Sequence, residues 1–320
     1  MAWSKPETQE IRAALRRYAP QIADQPLEFL AEGWAIWAFR AGDYVLRFPK
    51  RPGTAAEVNG SRRLVAELQA HLSTPISVPD VYGEHGPNDA PFAGHPFVPG
   101  VSLITAAQLL PASARGIPPE IRLAPTLGRE IGVFLRELQS FPVDRALELG
   151  VPLKDGPAQR VDTIELYEDV IRRAFPLLSC EARTYAERRF DAFLNEPANF
   201  QFEPRLIHHD LDRQNLLSDP ESGSLSGVID WEGARIGNPA IDLWFPLIDF
   251  ANLGIAGQLQ DCIDAYGPFD RERAQAIVEF VDFLWPFHDI LYGLVIEDQD
   301  FIEGGLRDLN ASLPSGLTCD

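Results

Sequence analysis

Residues 206–243 read LIHHDLDRQNLLSDPESGSLSGVIDWEGARIGNPAIDL, and the order of residue types in this stretch decides how the whole chain is read. Leu206-Ile207 is a short apolar run that enters a polar loop at His208, and Leu216-Leu217 leaves it. Asp219-Pro220 and Ser222-Gly223 mark a turn, after which Leu225 to Ile229 runs back as a second strand. The expectation is a strand, a loop and a hairpin. Asp210 and Asn215 share the loop, five residues apart, and the hairpin ends on Asp230, so one cleft can receive all three side chains.

An acid, an amide and a second acid in this arrangement suit phosphoryl transfer. That reaction asks little covalent chemistry of a protein; it needs a hydroxyl held in line and charge neutralised on the phosphates. Asp210 can accept the proton of an acceptor hydroxyl or orient it. Asn215 and Asp230 are hard oxygen donors of the kind Mg²⁺ prefers. His208 is the second catalytic candidate, expected to brace the loop by side-chain hydrogen bonds rather than to move a proton. Asp242 follows Pro239 near a helix start and would brace the loop or cap that helix.

On these residues the chain resembles the aminoglycoside phosphotransferase family of antibiotic and small-molecule kinases, macrolide phosphotransferases included, which share the protein-kinase fold. His208-His209-Asp210-Leu211-Asp212-Arg213-Gln214-Asn215 stands for the family's His-Gly-Asp-Leu-x-x-x-Asn, and Ile229-Asp230-Trp231 for its metal-binding stretch. Gly237-Asn238-Pro239-Ala240-Ile241-Asp242-Leu243 stands for Gly-Asp-Pro-Ala-x-Asp-Leu. His209 replaces a glycine and Asn238 an acid; neither change removes a group the chemistry needs. The resemblance implies an α+β, bilobal, protein-kinase-like fold, with a small antiparallel β N-lobe over residues 1–99 and a larger, mainly helical C-lobe over residues 100–320. It also implies Mg²⁺, with ATP or GTP as phosphate donor.

The rest of the chain fits that division. A helix over 6–18 is followed by strands at Leu27–Leu30, Trp34–Phe39 and Tyr44–Phe48, a helix over Ala55–Leu72, and strands at Pro79–Tyr82 and Pro96–Val98. Pro99-Gly100 marks the boundary between lobes. Beyond it, apart from 206–230, the pattern is helical: a stripe of Leu127, Ile131, Phe134, Leu135 and Leu138, then segments over 161–175, 181–194, 240–252, 255–265 and 271–285.

The nucleotide side is expected in the first lobe. Glu32-Gly33-Trp34 resembles a glycine-bearing phosphate loop, whose backbone N–H groups can hold phosphate. Arg47, on the strand Tyr44–Phe48, stands where related kinases place a phosphate-pairing lysine. The glutamate that such a cation usually meets would fall near Ser61, so either Glu57 serves or Arg47 relies on phosphate and Asp230. Pro91-Phe92-Ala93-Gly94-His95-Pro96-Phe97-Val98-Pro99-Gly100 resembles the family's hinge, with backbone near Phe97 and Val98 facing the purine.

Charge points to the acceptor. The 320 residues carry a net charge of −19. Residues 1–100 hold 10 Lys/Arg against 11 Asp/Glu, whereas residues 206–320 hold 5 against 21. Such a field disfavours nucleic acid and attracts cations; it also aids solubility. Trp285-Pro286-Phe287-His288-Asp289 and Glu297-Asp298-Gln299-Asp300 are the candidate acceptor contacts, and Asp212 could touch a cationic acceptor. The expected activity is phosphate transfer to a hydroxyl of a cationic small molecule, an aminoglycoside or macrolide first, an amino alcohol or sugar metabolite as the alternative. A nucleotide-binding pseudokinase that serves as an interaction module is the reading from another class, prompted by Ala35-Ile36 and Ser61. The absence of a signal-peptide core or a membrane-length apolar run suggests a cytoplasmic protein without membrane contact, and a monomer is expected. Cys180, Cys262 and Cys319 lack ligand spacing and suggest neither zinc nor disulfides.

Overall fold

A computed structural model describes residues 3–33, 35–103, 123–252, 255–316 and 318, with the side chains of 54–59 and 252 left aside. The first helix, α1 (Thr8–Tyr18), opens on a capping box between Glu7 and Glu10 and buries Ile11 and Leu15. Strands β1 (Leu27–Glu32), β2 (Ile36–Ala41) and β3 (Tyr44–Pro49) follow as a meander. Gly42, at φ 59°, supplies the left-handed turn that folds β2 back onto β3. Helix α2 (Pro52–His71) leads to β4 (Val81–His85) and β5 (Ala90–Pro96), and the sheet order is β1-β2-β3-β5-β4, antiparallel throughout.

The strand expected at Pro96–Val98 lies instead over Ala90–Pro96, a stretch that contains Pro91, Gly94 and Pro96. The sheet accepts them between β3 and β4, where a Cβ on Gly94 would come within 2.9 Å of Leu46 Cδ2. A missing side chain is what lets these strands meet.

Two apolar clusters organise the molecule. The smaller joins Ile11 and Leu15 of α1 to Trp37, Phe39, Leu46, Phe48 and Phe92 of the sheet, with Phe48 and Phe92 stacked at 5.2 Å. The larger includes Leu64, Val65, Leu68 and Leu72 of α2. Helix α2 therefore gives its apolar stripe to the bigger core, and α1 covers the sheet. Each such fully buried side chain contributes about 1.5–3 kcal/mol of transfer free energy.

Strand β6 (Val101–Ser102) pairs with β8 (Leu216–Ser218), which pairs with β9 (Leu225–Val228); β7 (Arg205–Ile207) pairs with β10 (Arg235–Gly237). Around these small sheets lie α3 (Leu127–Gln139), α4 (Val143–Glu148), α5 (Gly156–Asp169), α6 (Cys180–Leu194), α7 (Phe250–Asn252), α8 (Leu259–Tyr266), α9 (Arg271–Ile296) and α10 (Gln299–Ala311). The segment expected as a helix over 240–252 is helical but changes pitch, from a 3-10 turn at Pro239–Leu243 to a wider π turn at Phe245–Asp249, which holds Pro246, and then α7. α9 continues past Pro286, well beyond the expected stop at 285.

α9 and α10 cross at two glycines. A Cβ on Gly305 would lie 2.5 Å from Pro286 O, and one on Gly293 would lie 2.8 Å from Asp298 O. Among the described residues, no helix is long and apolar enough to cross a membrane. Cys180 is disulfide-bonded, against the expectation of no disulfides, because linear spacing does not report which cysteines meet in space. Cys262 is a buried free thiol whose pKa burial pushes up to about 12.

Candidate active site

β7 carries the chain into the loop that begins at His208, and the next two peptides point at one carboxylate. The N–H of His208 donates to Asp242 Oδ2 at 2.7 Å, and that of His209 to Asp242 Oδ1 at 2.8 Å. Asp242 is 1% exposed, and burial raises its pKa although His208 and both N–H groups oppose the shift. The His208 ring is fully buried and lies edge-on to Trp231, ring centres 4.7 Å apart. Burial lowers its pKa, against the charges of Asp242 and Asp230, which raise it. Its Nε2 is 2.9 Å from the Ile229 carbonyl, which can only accept, and this fixes the proton on Nε2. His208 thus ties the loop to the hairpin, as the sequence suggested.

His209 adopts φ 74°. A residue with a side chain pays steric strain in this left-handed region, which explains why a glycine is common at the position in the family pattern. Burial, then the charges of Arg235, His208 and His288, lower the His209 pKa to about 3.

The rest of the loop is fixed from within. The Asn215 amide Nδ2 donates to the Asp210 carbonyl at 2.8 Å and to Asp210 Oδ2 at 3.3 Å. Asp212 Oδ1 accepts from the N–H groups of Gln214 at 2.7 Å and Asn215 at 3.2 Å. Asp212 therefore shapes the loop. Arg213 Nε meets Asp249 Oδ2 at 2.6 Å, and both side chains are buried, which anchors the loop to the helical body. Asp210 faces solvent, yet desolvation by the surrounding protein, followed by the charge on Asp230, raises its pKa to about 6.

Asp230 follows β9 at φ 69°, and the Ile229 N–H donates to the Asn215 carbonyl at 3.0 Å, so hairpin and loop are joined directly. From the other lobe Arg47 enters. Its Nη2 lies 2.8 Å from Asp230 Oδ1 and 3.0 Å from Glu232 Oε2. Burial alone would lower the guanidinium pKa; the two carboxylates reverse that and raise it. Burial would raise Asp230, but Arg47 holds it below the usual carboxylate range. Glu232 goes the other way: burial and the Asp230 charge outweigh Arg47 and push it up to about 8.

Strand register places the remaining nucleotide-side residues. β3 runs from Tyr44, opposite Pro96 beside the hinge, to Pro49, opposite Ile36 beside the glycine turn, with Arg47 between. The Gly33 N–H closes that turn on the Ile36 carbonyl at 2.9 Å. Trp34 lies outside the described residues. The Phe97 N–H donates to the Asp43 carbonyl at 2.7 Å and is already engaged, so purine contact would fall to other backbone groups nearby. Val98 packs against Gly227, where a Cβ would stand 2.4 Å from Val98 Cγ1.

Arg47, Asp210, Asn215 and Asp230 thus meet, and Glu232 joins them without having been singled out in the sequence. The signal was present: an acid two residues after the strand-end acid, in Ile-Asp-Trp-Glu. Among the described residues, no three His, Cys, Asp or Glu side chains form a group able to hold a metal ion. The donors fit an ion that keeps much of its shell for phosphate and water, as Mg²⁺ does, with Asp230 and the Asn215 amide oxygen as protein ligands.

Of the residues expected to contact an acceptor, Trp285 of α9 is exposed, 6.1 Å from the Trp244 ring and 6.2 Å from His288. Trp244 Nε1 donates to Asp282 Oδ1 at 3.1 Å. Asp298 caps α10 through the Asp300 N–H at 2.9 Å, so part of the acidic 297–300 cluster has a structural role.

Fold and cleft together define a kinase-like phosphotransferase. The profile of the phosphotransferase enzyme family matches residues 26–277, and the chain belongs to that family. Viomycin phosphotransferase of Streptomyces vinaceus is 26% identical over 183 residues, 57% of this chain and 58% of that protein, so the match spans less than two thirds of the relative. The GDP and kanamycin complex of APH(2")-IIia superposes with a TM-score of 0.78 at 28% identity, covering 93% of this chain and 96% of that one. Macrolide 2'-phosphotransferase type I gives a TM-score of 0.72 at 20% identity, over 97% and 98% of the two chains, a likeness of fold.

Proposed function

We propose that this protein moves the terminal phosphate of ATP or GTP to a hydroxyl of a cationic small molecule, in the class of aminoglycoside and macrolide antibiotics. The observation that carries this reading is the convergence of Arg47, Asp210, Asn215 and Asp230 from two lobes on one cleft. Asp210 orients the acceptor hydroxyl and takes its proton. Arg47 pairs with phosphate oxygens, and the glycine turn at Gly33 lies along the same sheet. Asp230 and Asn215 hold Mg²⁺, which when bound neutralises charge on the phosphates. His208 keeps the loop in place.

Support for the acceptor class comes from the relatives, one named for viomycin and one solved with kanamycin. The acidic 206–320 region and the Trp244–Trp285 pair suit a ligand that carries amines on a ring framework. We place the lobe boundary at Pro99-Gly100 and take the protein to act as a monomer in the cytoplasm. The test is nucleoside-diphosphate release, coupled to a colour reaction, across aminoglycosides, viomycin, macrolides and amino alcohols, with ATP and with GTP. Acceptor-dependent release with at least one antibiotic is the expected result. Release with amino alcohols alone would move the assignment to metabolite kinases, and no release with any acceptor would remove it.

A further inference from the structure

Arg47 reaches the cleft from β3, and its charge has to be met in the low-dielectric space between the lobes. The resemblance would supply a glutamate from α2, but the position in register is Ser61. Of the two glutamates in that helix, Glu67 is engaged elsewhere, its Oε2 accepting from Arg145 Nε at 2.9 Å. The side chain of Glu57 lies outside the described residues. Among the described residues the carboxylates at Arg47 are Asp230 and Glu232, both on the opposite lobe.

We propose that Glu232 is a positioning residue for Arg47, holding its guanidinium toward the phosphates from the lobe that carries Asp230. Three observations support this. The Glu232 side chain is 13% exposed and that of Arg47 is 11%, so water cannot take over the contact cheaply. Asp230 is more open, at 42%, and is the acid read as a metal ligand. Once Asp230 turns to a divalent cation, Glu232 is the described carboxylate left to Arg47. Finally, α2 packs on the Trp231–Gly233 turn that carries Glu232, so helix and acid are held as one unit. The helix supports this partner from behind.

This inference rests on the phosphotransferase reading, and the experiment separates the two. Binding of ATP and GTP, with and without Mg²⁺, is measured by calorimetry for the wild type, Glu232→Ala, Glu232→Met, Glu232→Asp, Arg47→Ala and the Arg47→Ala/Glu232→Ala double variant. Glu232→Ala should weaken nucleotide binding about 10- to 100-fold, the scale of one charge-assisted contact. The double variant should bind no worse than Arg47→Ala alone, because both changes remove one interaction. Glu232→Asp should recover part of the affinity, and in turnover assays the KM for nucleotide should rise while the KM for acceptor stays put. Glu232→Met, which keeps the length without the oxygens, serves if Glu232→Ala fails to fold. Wild-type affinity in whichever of these two folds, or losses that multiply in the double variant, would overturn the role of Glu232 and leave the phosphotransferase reading standing. A wild type that binds neither nucleotide would overturn both.

Discussion

The two walls of the cleft are built in opposite ways. On the helical side, the loop from His208 to Asn215 is tied at nearly every peptide: Asp242 holds two N–H groups, Asp212 two more, and Asn215 grips Asp210. On the sheet side, the working group is a single guanidinium at the end of a flexible stem, and its described partners both belong to the other wall. One wall is pre-organised by its own backbone, while the other takes its geometry from across the gap. Damage to the first should therefore appear in chemistry and stability, and damage to the second in nucleotide affinity.

The sharpest test of that division is Asp210→Ala. Turnover on a verified acceptor should fall about 10²–10⁴-fold, with nucleotide affinity nearly unchanged. Near-wild-type turnover would break the assignment. Next in size, Asp242→Ala leaves the His208 and His209 N–H groups buried without an acceptor. At about 1–3 kcal/mol for each orphan, unfolding by denaturant should show a loss of roughly 2–5 kcal/mol. A loss under about 1 kcal/mol would mean the loop is not held as described.

Asp230→Ala tests the contact between the walls, because it strips Arg47 of one partner as well as removing the proposed metal donor. Mg²⁺-dependent nucleotide binding should weaken about 10- to 100-fold by calorimetry, and Asn215→Ala should be milder since an amide is a neutral ligand. Equal and negligible effects would contradict the site.

A pH test addresses His95, buried at 5% on β5 with its Nδ1 2.8 Å from the Pro96 carbonyl. Burial, against that hydrogen bond, lowers its pKa to about 4. The unfolded chain, with the ordinary histidine value, binds the proton first as pH falls. Stability from this residue is therefore complete at neutral pH and is lost progressively below the unfolded value, down to the folded one. Between pH 7 and pH 5 the wild type should lose about 2 kcal/mol more than His95→Gln. Parallel stability profiles for the two proteins would refute it.

The smallest effect is expected at His209. Glycine there relieves the left-handed strain but loosens the unfolded chain, so His209→Gly should change stability by less than about 1 kcal/mol. His209→Val, β-branched in the same conformation, should cost roughly 1–3 kcal/mol. Equal melting temperatures for the two variants would show that the backbone has relaxed.

The contrast between the walls also decided what the sequence could reveal. Asp210, Asn215 and Asp230 were legible because a single local segment both supplies the side chains and folds to present them. The lobes, the meander and most helices were legible from hydrophobic period and turn residues. Glu232 was missed because its partner is nearly two hundred residues away and no local pattern joins them. β5 was obscured by Pro91, Gly94 and Pro96, whose meaning depends on neighbours brought in by the fold. Asp298 and Asp212 stood out by charge alone, which gave no sign of the helix capping and loop shaping that their hydrogen bonds show.

The crossing of α9 and α10 at Gly293 and Gly305 has a consequence for how this protein can change. With backbone against backbone on one side, α9 has almost no freedom to slide or roll, and a methyl group at either glycine would force the helices apart. The helix behaves as a fixed rail. On its other flank Trp285 is exposed, so an exchange there leaves the crossing in place. A lineage can then alter that surface by single steps while the backbone of α9 stays where it is.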